Sequence, residues 1–343
     1  MILRDIKVLD FTRLLPGPVA TQWLAEAGAH ITNIEDPERP DGIRAYSQGP
    51  FEKAALYQTL NHGKQVLGHI PLEQLPSSAE FRELLLSADV LLEQFKPGLM
   101  DKLGLGYGAL SAINPRLVYI SLSGFGAHRA EPGHDLNFMA EAGLLHLLRD
   151  ADGKPVIPRF QMGDVSGSYA CYAAVLEGLL ERTQTGKGSL RQVGMSAAVL
   201  PFGIVPYRFA EAGVTAMAEF LAGAIPNYNV FRCADGEYVA LAALEFHLWK
   251  NAIAALDIPE ELRPAFNNTA MVPALQAFFL TKTADEWLTL AQGQNCCLSP
   301  VCKPGDSRFN RLNGHRISTF SLENGETATT FRGPFYTAPD SAQ

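Results

Sequence analysis

Ile6-Lys7-Val8-Leu9-Asp10-Phe11, then Leu14-Leu15-Pro16-Gly17-Pro18, then His30-Ile31-Thr32-Asn33-Ile34-Glu35, is the stretch on which the fold turns. The first segment is short and largely apolar and reads as a strand. Leu14 to Pro18 is a sharp turn, and Pro18 suits the first turn of a helix because its missing N–H has no partner there in any case. Val19, Trp23 and Leu24 recur at helical spacing to about residue 27, and Gly28 supplies the stop. The third segment is the next strand. Strand, turn, helix and strand within this compass make a βαβ unit, so the sheet is parallel. The GxGxxG pattern is absent, which removes any support for a dinucleotide from this unit.

Working outward, residues 36–53 are rich in Pro, Gly and charge and read as a long surface loop. Strands are expected over 65–70, 89–93 and 117–122, with a helix over 78–87. The strand at 117–122 runs into Ser123-Gly124-Phe125-Gly126, and open α/β sheets hold their ligands at such glycine-rich exits from carboxyl ends. Apolar helices follow over 136–148 and 165–182, the second with Asp164 at its N-cap and Thr185-Gly186-Lys187-Gly188 as terminator. An interrupted helical stretch covers 201–223. Near residue 224 the texture changes: Tyr228 to Cys233, Ala234-Asp235-Gly236 and Tyr238 to Ala242 form a hairpin whose Asp-Gly pair supplies the turn. Helices are expected at 245–256, 271–280 and 284–292. The division this gives is 1–200 as a large domain, 201–224 as linker helices, 225–300 as a small α+β domain, and 301–343 returning to the large one.

The totals narrow the function classes. With 343 residues, 47% hydrophobic and 19% charged, the chain can bury a sizeable core. A formal net charge of -8 argues against a general nucleic-acid surface, so no nucleic-acid partner is expected. The five cysteines form no even framework and no paired CxxC set, and Cys296-Cys297 with Cys302 lack a suitably spaced histidine. Reduced thiols and no metal are expected. The first residues enter a strand without a signal peptide and no apolar run is long enough to span a bilayer, so the cytoplasm and no membrane partner are expected.

Chemistry gathers in Gly133-His134-Asp135-Leu136-Asn137-Phe138, answered about thirty residues later by Gly163-Asp164. Taken alone, both pieces are explained as polar residues that start helices, with Asp135 and Asp164 as caps. Brought together by a fold, they would face a common space with an imidazole and a second carboxyl group, which is what moving a proton on and off carbon requires.

The chain resembles the class III CoA-transferase family, and within it the alpha-methylacyl-CoA racemase branch. The matching pieces are Asp10 to Pro18, Glu93-Gln94-Phe95-Lys96-Pro97-Gly98, Leu103-Gly104-Leu105-Gly106, Gly124-Phe125-Gly126, Gly133 to Phe138, Gly163-Asp164, Arg232 to Gly236 and Leu298-Ser299-Pro300-Val301. The resemblance implies an α/β fold with a Rossmann-like large domain, a smaller α+β domain and an interlocked homodimer. It also implies an acyl-CoA substrate in a cleft between domains, and coenzyme A as part of that substrate, with no tightly bound cofactor.

By the same resemblance His134 and Asp135 align with the racemases' catalytic pair. A neighbouring carboxylate would fix the imidazole tautomer and make it a better base near neutral pH. Asp164 aligns with two chemistries: the second proton-transfer group of the racemases, or the transferases' nucleophile, which forms an acyl anhydride and then an enzyme thioester. A helix start favours an ionised nucleophile, whereas burial would favour a protonated acid. Ala222-Gly223-Ala224-Ile225-Pro226 is a poor version of the transferases' glycine-rich loop, which favours proton transfer. Glu245, alone a first-turn glutamate complementing a helix dipole, aligns with the small-domain glutamate that reaches the racemase active site from one subunit or the other. For CoA, Lys96 and Lys102 match the family's basic positions, joined by Arg13 or Arg44. Gly68-His69-Ile70 aligns with the backbone that meets adenine, and Gly133 and Asn137 are expected among the CoA-binding residues. Two places depart: the basic run appears here as Asn61-His62-Gly63-Lys64-Gln65, and Asp36 stands where the racemases carry an arginine. The implied activity is inversion of a 2-methylacyl-CoA through an enolate, of the kind found in lipid metabolism. The alternatives are CoA transfer and a non-catalytic CoA-thioester binder.

Overall fold

A computed structural model describes residues 1–46, 55–150, 152–214, 219–323 and 325–334. The chain divides into two compact units, Met1–Gly203 with Arg316–Gln343, and Ile204–His315. Residues 301–315 therefore group with the small unit, and only the hairpin beyond them joins the large one.

The large unit is built on a six-stranded parallel sheet in the order β3-β2-β1-β4-β5-β6. The strands are β1 (Lys7–Phe11), β2 (His30–Ile34), β3 (Gln65–Leu67), β4 (Val90–Glu93), β5 (Val118–Ser123) and β6 (Leu190–Gly194). β4 is buried at every position, as expected of a central parallel strand covered on both faces. The helices are α1 (Pro16–Glu26), α2 (Ala55–Asn61), α3 (Ala79–Ser87), α4 (Leu99–Lys102), α5 (Tyr107–Ile113), α6 (Asp135–Glu141), α7 (Leu144–Leu147), α8 (Met162–Thr185) and α9 (Met195–Val199). One core layer joins Val8, Leu24, Val90, Ile120, Phe138, Cys171 and Val175; a second, on the opposite face, joins Leu9, Phe11, Leu75, Phe81, Leu91 and Tyr119.

The expected βαβ unit is present. Pro16 opens α1, Leu24 is fully buried, and Gly28 ends the turn at φ +108°. Val19 and Trp23 are only half-buried; Trp23 lies against Tyr169 of α8, with ring centroids 4.7 Å apart. Strand order reverses between β1 and β4, and the chain leaves both strands at that point, which is where an open α/β sheet presents a crevice. Two helical expectations change. The run over 136–148 is broken into α6 and α7 by Gly143 at φ +79°. α8 begins at Met162, so Asp164 is its third residue and not its N-cap, which is Gln161. The expected loop at 36–53 falls in part on residues 47–54, and the interrupted helix at 201–223 in part on 215–218, which lie outside the described residues.

The small unit carries a three-stranded antiparallel sheet, β7 (Tyr228–Arg232), β8 (Tyr238–Ala242) and β9 (Leu298–Pro300). Gly236 at φ +82° closes the hairpin, and its N–H donates to the Cys233 carbonyl at 3.0 Å. Trp249, Phe279 and Trp287, carried by helices Phe246–Leu256, Val272–Phe279 and Ala284–Ala291, are fully buried with Phe231 of β7. Both indoles are satisfied, donating to the Arg263 and Phe279 carbonyls at 3.1 and 2.9 Å. The hairpin β10 (Ile317–Ser321) and β11 (Thr327–Phe331) belongs to the large unit. Among the described residues no helix is long and apolar enough to cross a membrane.

Candidate active site

The site is shaped around one aromatic ring. Phe138 of α6 is buried in the core, edge-on to Phe125. A methyl group added at Gly124 would stand 2.7 Å from the Phe138 ring, and at Gly133 2.9 Å from it. A Cβ at Gly163 would meet Asp135 Oδ1 at 3.1 Å. The glycines that precede His134 and Asp164 are thus close-approach positions, and they let the start of α6 and the start of α8 both close on Phe138, the first on its ring and the second on its Cβ. His134 and Asp164 consequently line one cavity of about 230 Å³, together with Arg13 and Leu14 after β1, Gln94, Phe95 and Lys96 after β4, Ser123 at the end of β5, and Arg129 and Gly133 before α6.

Asp135 faces away from that cavity and has a different partner from the one expected. Its Oδ1 accepts the backbone N–H groups of Gly163 at 2.6 Å and Asp164 at 3.1 Å. It is bonded to the first turn of α8, satisfying donors that a helix start leaves open. Asn137 is also turned to the backbone: its Oδ1 accepts the His134 N–H at 3.1 Å. The Asp135 bonds fix the two helix starts against each other, and the Asn137 bond closes the first turn of α6.

Asp164 is inward-facing and partly buried, and its carboxyl is pushed up to about 6. Loss of water around it is the largest cause and the Asp135 charge adds to it, while His134 opposes both. A carboxyl so placed is part acid and part base near neutral pH. Glu93 at the end of β4 is raised further, to about 7, chiefly by burial, with the Ser121 hydroxyl and the Phe95 N–H acting against it. Its Oε2 accepts the Phe95 N–H at 2.7 Å and so sets the loop that carries Phe95 and Lys96 into the cavity wall.

A second cavity, of about 190 Å³, shares Arg13 and Phe95 with the first and extends over the ends of β1 and β2 to Asp36, Arg39 and Asp41. The Arg13 guanidinium lies 5.6 Å from the centre of the Phe95 ring, at the boundary of the two. Arg44 is held by Glu35 at 2.7 Å and lies over Tyr57, so its charge is already engaged. Asp36 is buried and binds Arg39 at 3.1 Å, which puts an arginine three residues beyond the place where the sequence departs from the racemases.

Of the residues singled out from sequence, Arg13, Lys96, Gly133, His134 and Asp164 meet in one cavity, with Asp135 and Asn137 bracing it. Lys102 is exposed on α4, and Gly68, His69 and Ile70 follow the edge strand β3, with His69 pairing with Glu80 at 3.1 Å. None of these four lines either cavity. Glu245 is the exposed N-cap residue of helix Phe246–Leu256 in the small unit. Lys64, part of the expected basic run, is a core residue: its ammonium donates to Asp10 (3.2 Å), Thr21 (2.8 Å), Asn61 (2.9 Å) and the Pro18 carbonyl (3.1 Å). Sequence reasoning missed Arg129, Phe95, Glu93 and Leu14. Leu14, Phe95 and Glu93 carried a signal, as parts of matched motifs; Arg129 carried none.

The CoA-transferase family III model matches residues 3–339. The chain is 30% identical over 313 residues to alpha-methylacyl-CoA racemase from Homo sapiens, covering 88% of this chain and 78% of that protein. It is 29% identical over 323 residues to succinyl-CoA:glutarate CoA-transferase from Mus musculus, covering 87% and 72%. The fold matches the crystal structure of Rv3272 from M. tuberculosis with a TM-score of 0.81 at 26% identity, covering 98% of this chain and 92% of that one. The chain belongs to CoA-transferase family III, an enzyme family whose members similar to it carry both racemase and CoA-transferase names.

Proposed function

We propose that the protein inverts the α-carbon of a 2-methylacyl-CoA, or of a related acyl-CoA, by abstracting a proton on one face and returning one on the other. The supporting observation is that His134 and Asp164 line the same cavity, with Asp164 raised to about 6. In one direction neutral His134 takes the α-proton, an enolate forms, and protonated Asp164 delivers its proton to the opposite face. In the other direction the carboxylate is the base and the imidazolium the acid. Each turnover leaves one proton on the pair, moved from one member to the other.

The enolate oxygen needs a donor already in place. The N–H groups of Gly163 and Asp164 are engaged by Asp135, and that of His134 by Asn137, so these three do not serve as that donor. Lys96 and Arg13 supply positive charge for the CoA phosphates. We also propose assembly as a homodimer, on the resemblance and on the exposed apolar face of α8 formed by Tyr169, Leu176 and Leu180. Light scattering on the purified protein tests that point.

The second reading, CoA transfer through an Asp164 anhydride, is favoured by the place of Asp164 in the first turn of the 24-residue helix α8, where an ionised carboxylate is stabilised, and by the transferase among its relatives. Incubation with acyl-CoA in heavy water, followed by hydroxylamine and intact-mass measurement, separates the two. Deuterium at the α-carbon without a hydroxamate on the protein supports inversion. A hydroxamate at Asp164 without α-exchange supports transfer.

A further inference from the structure

Leu14 stands at φ +65°, in the left-handed region that branched side chains avoid and that glycine usually fills. Its N–H donates to both oxygens of Asp41, at 2.9 and 3.1 Å. Asp41 also accepts the Ile43 N–H at 3.0 Å, and its own N–H donates to Glu35 at 2.9 Å. Glu35 in turn accepts from Arg44 and from the Tyr57 hydroxyl at 3.0 Å. The Leu14 side chain packs against the Ile43, Tyr57 and Leu60 cluster. A continuous set of bonds thus runs from the end of β2 to the turn between β1 and α1. That turn is the wall from which Arg13 reaches the boundary of the two cavities.

We infer that Asp41 is a positioning residue for acyl-CoA binding: by clamping the Leu14 N–H it holds the turn left-handed and so places the Arg13 guanidinium between the cavities. The inference rests on the acyl-CoA reading above. Without the clamp, Leu14 would relax to negative φ and carry Arg13 away from Phe95. Leu14 keeps the strained form because its side chain and its N–H are both engaged on the same side.

The test is a cycle of wild type, Arg13→Ala, Asp41→Ala and the double variant, with coenzyme A binding measured by calorimetry and KM and kcat measured on an acyl-CoA. Asp41→Ala should weaken CoA binding about tenfold and raise KM in step, with kcat changed far less. Once Arg13 is alanine, Asp41→Ala should add little. Should Asp41→Ala not fold, Asp41→Ala/Leu14→Gly takes its place in the cycle, because glycine accepts positive φ without the clamp. If both fold, the glycine variant should bind CoA more tightly than Asp41→Ala. Additive losses, an unchanged Kd in Asp41→Ala, or no recovery with glycine would overturn the inference while leaving the functional reading intact. A wild-type protein that fails to bind CoA would remove that reading and this inference together.

Discussion

Two aspartates of the large unit, Asp10 and Asp164, are treated in opposite ways. Asp10, fully buried near the end of β1, accepts from the Thr12 N–H (3.0 Å), the hydroxyls of Thr12 and Thr21 (both 2.5 Å) and the Lys64 ammonium (3.2 Å). Asp164 lies at the cavity with a second carboxylate behind it, and among the described residues no hydrogen bond reaches its carboxyl oxygens. Burial is permitted in the first case because partners replace the lost water. In the second the partners are withheld, and the carboxyl titrates close to neutral pH. The fold satisfies the charge it uses as a brace and leaves unsatisfied the one that we propose does the chemistry.

The sharpest way to break this contrast is to remove each group in turn. His134→Ala or Asp164→Ala should lower inversion by about 10²- to 10⁴-fold, the usual contribution of a positioned acid or base, with circular dichroism unchanged. Lys64→Met should leave activity only as far as the protein folds, because it strands Asp10 in the core. A stability loss of about 3–5 kcal/mol is expected from the midpoint of urea unfolding. A loss below 1 kcal/mol would mean that Asp10 is not held as described.

Asp164→Asn should act in the opposite sense on stability. A carboxyl raised from 3.8 to about 6 binds more protons in the folded than in the unfolded state over that window. Its protonation stabilises the fold below the unfolded value, and that stability is lost as pH rises through about 6. The variant should therefore be more stable than wild type by about 1–3 kcal/mol at pH 8 and equal to it near pH 3, on the usual 1.36 kcal/mol per unit. The smallest effect is expected from Asp135→Asn, whose oxygen can keep the bonds to Gly163 and Asp164 while its charge is gone. The pH–rate limb assigned to Asp164 should move to lower pH, with little change in melting temperature.

Much of the fold was legible because local patterns carried it. The βαβ unit at residues 6–35 and the hairpin around Asp235-Gly236 follow from spacing and turn chemistry alone. The break at Gly143 was not, since a glycine within an apolar run reads as tolerated until its φ is known. His134 and Asp164 were singled out by motif resemblance, and the close packing of Gly124 and Gly133 on Phe138 shows why the motif carries glycines. Asp135 was paired with its sequence neighbour, but its bonds go to residues 28 and 29 positions away. Lys64 was read only as part of a departure from the family's basic run, because nothing near it announces Asp10, 54 residues earlier. The Asp41–Leu14 clamp spans 27 residues and has no pattern in the sequence. Long-range polar pairing is what periodicity cannot report.

The most direct measurement follows α-proton exchange by NMR in heavy water, with each enantiomer of a 2-methylacyl-CoA given separately to Asp164→Asn and to His134→Asn. Asp164→Asn should still exchange the enantiomer whose proton faces His134 without inverting it, and His134→Asn should exchange only the opposite enantiomer. Loss of exchange for both enantiomers in one variant, with both retained in the other, would contradict two groups working on opposite faces of one carbon.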